Sequence, residues 1–286
     1  SSYFDSRFVW VPASLATVPQ LCSASLATMV GLQISGALLL FTLQARAATL
    51  WKRSSCSCLN WNAVYNQHGV TCGSGYELKT FGVEKFPEAK SFMPEGVYGE
   101  FCTNFYQKVS FNSCFNSNFG TPSTQWCYTS KDCAEATPVK DTDVGVKMCG
   151  DGDDFMNVKT PEELNSLAAV DHLEIGLFGK MSYPMDTMKW SEVESASDLP
   201  VELMAAAHTM ESYYGLKWGG LKPATEAAKA KIKEVVDSGK TTVFDADNGH
   251  GGGVLIAKSK IYGFQPLKGQ QALGYVCMSD HGKPCA

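Results

Sequence analysis

The stretch Gln20-Leu-Cys-Ser-Ala-Ser-Leu-Ala-Thr-Met-Val-Gly-Leu-Gln-Ile-Ser-Gly-Ala-Leu-Leu-Leu-Phe-Thr-Leu-Gln-Ala45 carries no charge. As a helix it would extend roughly 39 Å, enough for a hydrocarbon layer of about 30 Å with some tilt. It is read as one transmembrane helix. A rival reading takes Gly36 to Leu43, followed by Ala45-Arg46-Ala47, as the apolar core and cleavage site of a signal peptide. The apolar character continues upstream through Leu21, which favours the anchor. The start at Ser1, without methionine, is read as the mark of a targeting sequence already removed.

Within that run Ser23, Ala27, Gly31 and Ser35 recur every four residues. On a helix they make a stripe of small side chains along which another membrane helix can pack closely. Gln33 would be costly against lipid and is expected to face a partner helix, a water or a cofactor metal. Trp10 and Trp51 flank the run in the manner of interfacial aromatics. Orientation has two conflicting indicators. Arg46, Lys52 and Arg53 outnumber Arg7 and would hold the C-terminal side on the reducing face, whereas the cysteines beyond require an oxidising one. The cysteines are the stronger constraint, because a large translocated domain can override a few flanking charges.

Beyond the run lie Cys56, Cys58, Cys72, Cys102, Cys114, Cys127, Cys133 and Cys149, then Cys277 and Cys285. An even number of cysteines among Asn, Gly, Ser and aromatics, as in Asn116-Ser117-Asn118-Phe119-Gly120, indicates a loop-rich module held by disulfides. Spacing does not reveal the pairing, although Cys56 and Cys58 are too close to bridge each other and Cys277 with Cys285 is the simplest local pair. Structural zinc is disfavoured because no Cys-x-x-Cys occurs, and the same absence removes covalent haem and the usual thiol oxidoreductase centre.

After Cys149 the pattern becomes that of an α+β domain. Thr160-Pro161-Glu162-Glu163 opens a helix expected to reach about Ala169, and further helices are expected over Pro200–Tyr214 and Pro223–Ser238. Thr241–Phe244, Val254–Lys258 and Leu273–Cys277 are expected strands. The organisation is therefore an N-terminal extension 1–19, a transmembrane helix 20–45, a linker 46–55, a disulfide-rich module 56–149 and an α+β domain 150–286. Hydrophobic residues at 44% and charged residues at 19% exclude extensive disorder, and a net charge of -5 argues against a nucleic-acid binder.

Two segments could carry metal chemistry. Asp245, Asp247 and His250, followed by Gly251-Gly252-Gly253, could hold a divalent ion or meet an anion. Asn248-Gly249 between two strands is equally a hairpin turn, and that reading is preferred. Asp151-Gly152-Asp153 with Glu162 mimics a calcium loop, but Met156 stands where the loop requires glycine. No catalytic residue is nominated.

Cys58-Leu59-Asn60-Trp61, the run Gln125-Trp126-Cys127-Tyr128-Thr129-Ser130-Lys131-Asp132-Cys133, and Gly249-His250-Gly251-Gly252-Gly253 resemble cysteine-rich proteins of dinoflagellate algae. Some of these resemble linker subunits that accompany photosystem I and its peridinin-chlorophyll antenna in the thylakoid. The resemblance implies a non-enzymatic linker subunit whose helix packs among membrane lipids and pigment-bearing helices and whose disulfide module covers the lumenal face. It implies no cofactor of the chain's own, only chlorophyll or carotenoid contacts at the helix. No chlorophyll ligand carries over, because the span has no histidine, and Gln33 is left as a candidate magnesium ligand or the neighbour of one. The alternatives are a membrane-tethered enzyme with a site near Asp245 and His250, or a secreted disulfide-rich binding protein.

Overall fold

Asn60 starts the first helix, α1 (Trp61–Gln67), by accepting the Ala63 N–H at 3.0 Å on its side-chain oxygen. This cap satisfies one of the amide groups that a helix start leaves without a partner. It also delivers Trp61 into the interior. The structure, a computed structural model, describes residues 56–79, 95–120, 124–197, 223–246, 253–267 and 273–285. The chain divides into Ser1–Arg46 and Ala47–Ala286, and every described residue belongs to the second unit.

The first sheet contains β1 (Phe115–Asn116), β2 (Gln125–Ser130), β3 (Thr137–Pro138) and β4 (Val144–Met148) in the order β1-β2-β4-β3, all antiparallel. Side chains alternate along a strand, so Trp126 and Tyr128 of β2 share a face, and both rings meet Trp61. A short helix, α2 (Glu95–Tyr98), runs into a wider π-helical stretch over Gly99–Tyr106 that brings Phe105 and Tyr106 to the same core.

The second sheet is a meander: β5 (Thr242–Phe244), β6 (Val254–Ala257), β7 (Lys260–Pro266), β8 (Leu273–Asp280) and β9 (Lys283–Pro284), each antiparallel to the next. The β8–β9 turn uses His281 and Gly282, both at positive φ, which is the backbone that a two-residue hairpin turn demands.

Two helices join the sheets. Thr160 and Glu163 form the expected capping box at the start of α3 (Pro161–Asp171), and α4 (Ile175–Ser182) is buried along its whole length. A helix apolar on nearly every side belongs in an interior, and α4 packs against β1 on one side and β8 on the other. Its last carbonyls are satisfied by side chains of the first sheet. Asn116 Nδ2 donates to the carbonyls of Lys180 and Tyr183, at 2.9 and 2.7 Å, and Gln125 Nε2 donates to that of Ser182 at 2.7 Å. Asn116 and Gln125 stand directly opposite each other in the β1–β2 register, so one cross-strand pair closes the helix end. On the other flank, the Asn165 amide exchanges two hydrogen bonds with the Tyr275 backbone of β8.

After α5 (Trp190–Val193), the helix α6 (Glu226–Ser238) is capped by Thr225 and ended by Gly239 at φ 65°. It covers β6 with Ala228 and Val235. One apolar cluster takes members from both sides of the Gly150–Lys159 stretch, from Cys58 to Tyr275, so the change in sequence character there marks no gap in packing.

The expectation of a fold built on a single transmembrane helix is corrected. No helix among the described residues is long and apolar enough to cross a membrane, and what they form is two antiparallel sheets with short helices and disulfides. α6 is the longest α-helix described, and at 13 residues it reaches only about 20 Å. The run from Gln20 to Ala45, with Ser23, Ala27, Gly31, Gln33 and Ser35, lies outside the described residues, as do the helix expected over 200–214 and the linker to residue 55.

Gly179 of α4 faces the Tyr275 ring so closely that an added Cβ would collide with the hydroxyl and stand 2.8 Å from Cε2. Tyr275 is itself buried and has no room to retreat. Gly179→Ala is expected to destabilise the protein by about 1–3 kcal/mol despite the better helix propensity of alanine. An unchanged midpoint in urea would contradict this packing.

Candidate functional site

Among the described residues, three buried clusters gather ionisable or sulfur-bearing side chains. Asp245, following β5, is the one member of the expected metal site that the structure describes, since Asp247 and His250 fall outside the described residues. Its carboxylate is already occupied. Oδ1 lies 2.7 Å from Lys180 Nζ and accepts the Ala246 N–H at 2.9 Å, while Oδ2 lies 3.0 Å from Lys189 Nζ. A divalent cation here would sit beside two ammonium groups. The arrangement is that of a counter-ion for the lysine that α4 carries into the interior.

The second cluster surrounds Glu77. Its Oε1 accepts hydrogen bonds from the Tyr65 and Tyr128 hydroxyls at 2.9 and 2.6 Å, and Oε2 accepts the Gly75 N–H at 2.9 Å. Burial raises the Glu77 pKa, against which its hydrogen bonds to the tyrosines and the backbone act. Tyr65, Tyr106 and Tyr128 are pushed well above the ordinary phenol range, first by burial and then by the Glu77 charge. The cage fastens the 73–78 loop beneath β2.

The third cluster is made of sulfur. The structure pairs Cys56 with Cys133, Cys58 with Cys127, Cys72 with Cys102, Cys114 with Cys149, and Cys277 with Cys285. Cys56 and Cys58 do bridge elsewhere, and the C-terminal pair is the local one. Two of the bridges touch: Cys58 Sγ is 3.6 Å from Cys114 Sγ and 3.9 Å from Cys149 Sγ, and all four sulfurs lie within 4.8 Å of one another. Beside them, Asp153 Oδ1 is 3.6 Å from Cys58 Sγ, and Lys147 Nζ contacts both Asp153 oxygens at 3.0 and 2.7 Å. The Gly150 N–H also donates to Asp153, so the second acid of the supposed calcium loop is engaged in a buried ion pair.

Asp245 and the cysteines stand out in the sequence, but the partners that complete these clusters do not. Tyr65 and Tyr128 lie 12 and 51 residues from Glu77, and Lys147 and Asp153 become partners only because β4 ends and the chain turns back. The one local signal is a lysine within the short, otherwise apolar strand Val144–Met148. No protein-family model, curated protein or solved structure matches the chain.

Two outcomes test these clusters. Asp153→Ala strands a buried ammonium and is expected to cost about 3–5 kcal/mol in denaturant unfolding, far more than the same change at exposed Asp141. Glu77 holds its proton more tightly when folded than when unfolded. It therefore contributes stability that is complete below the ordinary Glu pKa of about 4.3 and is lost as pH rises through the elevated folded value. In paired urea melts, the stability of Glu77→Gln relative to the natural protein should rise with pH across that window and then level off. A pH-independent difference would refute the shifted titration.

Proposed function

We propose that the protein is a non-enzymatic linker subunit of a membrane complex, joining a photosystem core to peridinin-chlorophyll antenna proteins with its disulfide-bearing part on the lumenal side. The observation that carries this reading is covalent bracing: four bridges close loops with sequence separations of 77, 69, 30 and 35 residues within Cys56–Cys149. Each removes freedom from the unfolded chain, by about 2–4 kcal/mol in typical cases, and a braced surface loses little further freedom when neighbours bind it. The bridges also suit an oxidising compartment such as the thylakoid lumen.

Two of the three motifs behind the resemblance coincide with the braced centre. Cys58-Leu59-Asn60-Trp61 supplies a bridge, the α1 cap and the central tryptophan, while Gln125–Cys133 supplies β2 and two further bridged cysteines. The enzyme alternative loses support at Asp245, whose oxygens are taken up by Lys180 and Lys189.

Mild-detergent extraction of thylakoids, followed by native separation and mass spectrometry, tests the proposal. The protein is expected to travel with chlorophyll-bearing photosystem and antenna proteins. Its recovery as a pigment-free monomer, under conditions that keep those complexes intact, would overturn the reading.

A further inference from the structure

We infer that Cys58, Cys114, Cys127 and Cys149 are a four-thiolate site for a single zinc-class divalent ion when their two bridges are reduced. In a tetrahedral site with metal–sulfur bonds of about 2.3 Å, neighbouring sulfurs stand about 3.8 Å apart. Two of the edges between bridges already have nearly that length, at 3.6 and 3.9 Å, and no pair exceeds 4.8 Å. Forming the site therefore requires the two bonded pairs to open and any wider pair to close by no more than about 1 Å. The Cα separations across those pairs are 5.6 and 6.4 Å.

Backbone hydrogen bonds hold these cysteines in place in addition to the bridges. Cys127 lies within β2, opposite Lys147 of β4, and Cys149 donates its N–H to the Gln125 carbonyl at 2.8 Å. The Cys114 N–H donates to the Asp154 carbonyl at 2.8 Å, and Leu59, next to Cys58, donates to the Tyr128 carbonyl at 2.8 Å. These backbone hydrogen bonds, which reduction does not break, direct four sulfurs from four separate segments toward one point. Such convergence is invisible to a search for closely spaced cysteine pairs. Three of the four residues are buried and Cys149 is partly so, which fits a closed structural site and offers a reductant one point of entry.

Charge is compatible as well. Four thiolates around a divalent ion carry two excess negative charges, and Lys147, facing the same side as Cys127, is the buried cation at hand. Asp153 acts against it from 3.6 Å away from Cys58, so Lys147 must serve both. The reaction balances with a dithiol as reductant. Each of two dithiols gives two electrons and two protons to one S–S bond and closes to its own disulfide, and metal binding then releases four protons to water. Bridges belong to an oxidising compartment and the metal form to a reducing one.

The full chain is reduced anaerobically with a dithiol, freed of it by gel filtration, and titrated with Co2+ and Zn2+ separately. One equivalent of Co2+ is expected to bind, with the visible bands of tetrahedral cobalt and a sulfur-to-cobalt charge-transfer band, and Zn2+ should abolish both. C114S/C149S should lose these bands, whereas C72S/C102S should keep them. Failure of the reduced chain to develop the bands, whether it stays folded or unfolds, would overturn the proposal. So would equal bands from a C58S/C114S/C127S/C149S variant, because the ion would then be held elsewhere.

Discussion

Trp61 is the constraint from which the rest of the fold follows. Its ring is completely buried and meets Tyr106, Phe115, Trp126 and Tyr128 at centroid distances of 4.9–5.5 Å, in tilted or edge-on arrangements favoured by aromatic quadrupoles. Its indole N–H donates to the Ser113 carbonyl at 2.8 Å. Those contacts require α1, the π-helical stretch and β1–β2 to meet at one place, although the chain between them is rich in turns. A short helix and strands of two to six residues hold such an arrangement only with the packing around the ring and with reinforcement from covalent links. Bridges from Cys58 to β2 and from Cys114 to the end of β4 fix the segments that surround the ring. Hydrophobic burial specifies the packing, and the covalent links limit the alternatives.

Charge enters this interior in a paired form. Lys180 reaches Asp245, Lys147 reaches Asp153, and Glu77 is compensated by hydroxyl and amide donors. Each group links segments that share few backbone hydrogen bonds: α4 with the end of β5, β4 with the following turn, and the 73–78 loop with α1 and β2. Buried pairs of this kind add little net stability over apolar side chains of equal volume, but they penalise an incorrect neighbour heavily. Their contribution is to the choice of partner segments.

Legibility in the sequence followed the range of the interactions. The helix at Thr160 and the one ending at Gly239 announce themselves because cap, first turn and terminal glycine are local chemistry, and both form as expected. The strands expected over Thr241–Phe244, Val254–Lys258 and Leu273–Cys277, marked by β-branched and apolar runs, coincide with β5, β6 and the first part of β8. β7 has no such local signature: Lys260-Ile-Tyr-Gly-Phe-Gln-Pro266 mixes lysine, glycine and proline and gains its strand character from neighbours on both sides. The first sheet was hidden by its cysteines, which suggest loops, and by Gln125 and Asn116, polar residues whose burial makes sense only beside the end of α4. The run 20–45 carries the strongest compositional signal in the sequence, yet the described fold rests on tertiary packing within residues 56–285.

The two bridges nearest the start of the described chain have a mechanical consequence. Cys56 is tied to Cys133 and Cys58 to Cys127, so a pull arriving from the N-terminal side would load covalent bonds before it reached the hydrogen bonds of α1. Force would pass into the turn that follows β2 and into β2 itself, one of the two inner strands of the first sheet. A protein attached through its leading end would then respond as a clamped beam, and the helix would not unzip residue by residue.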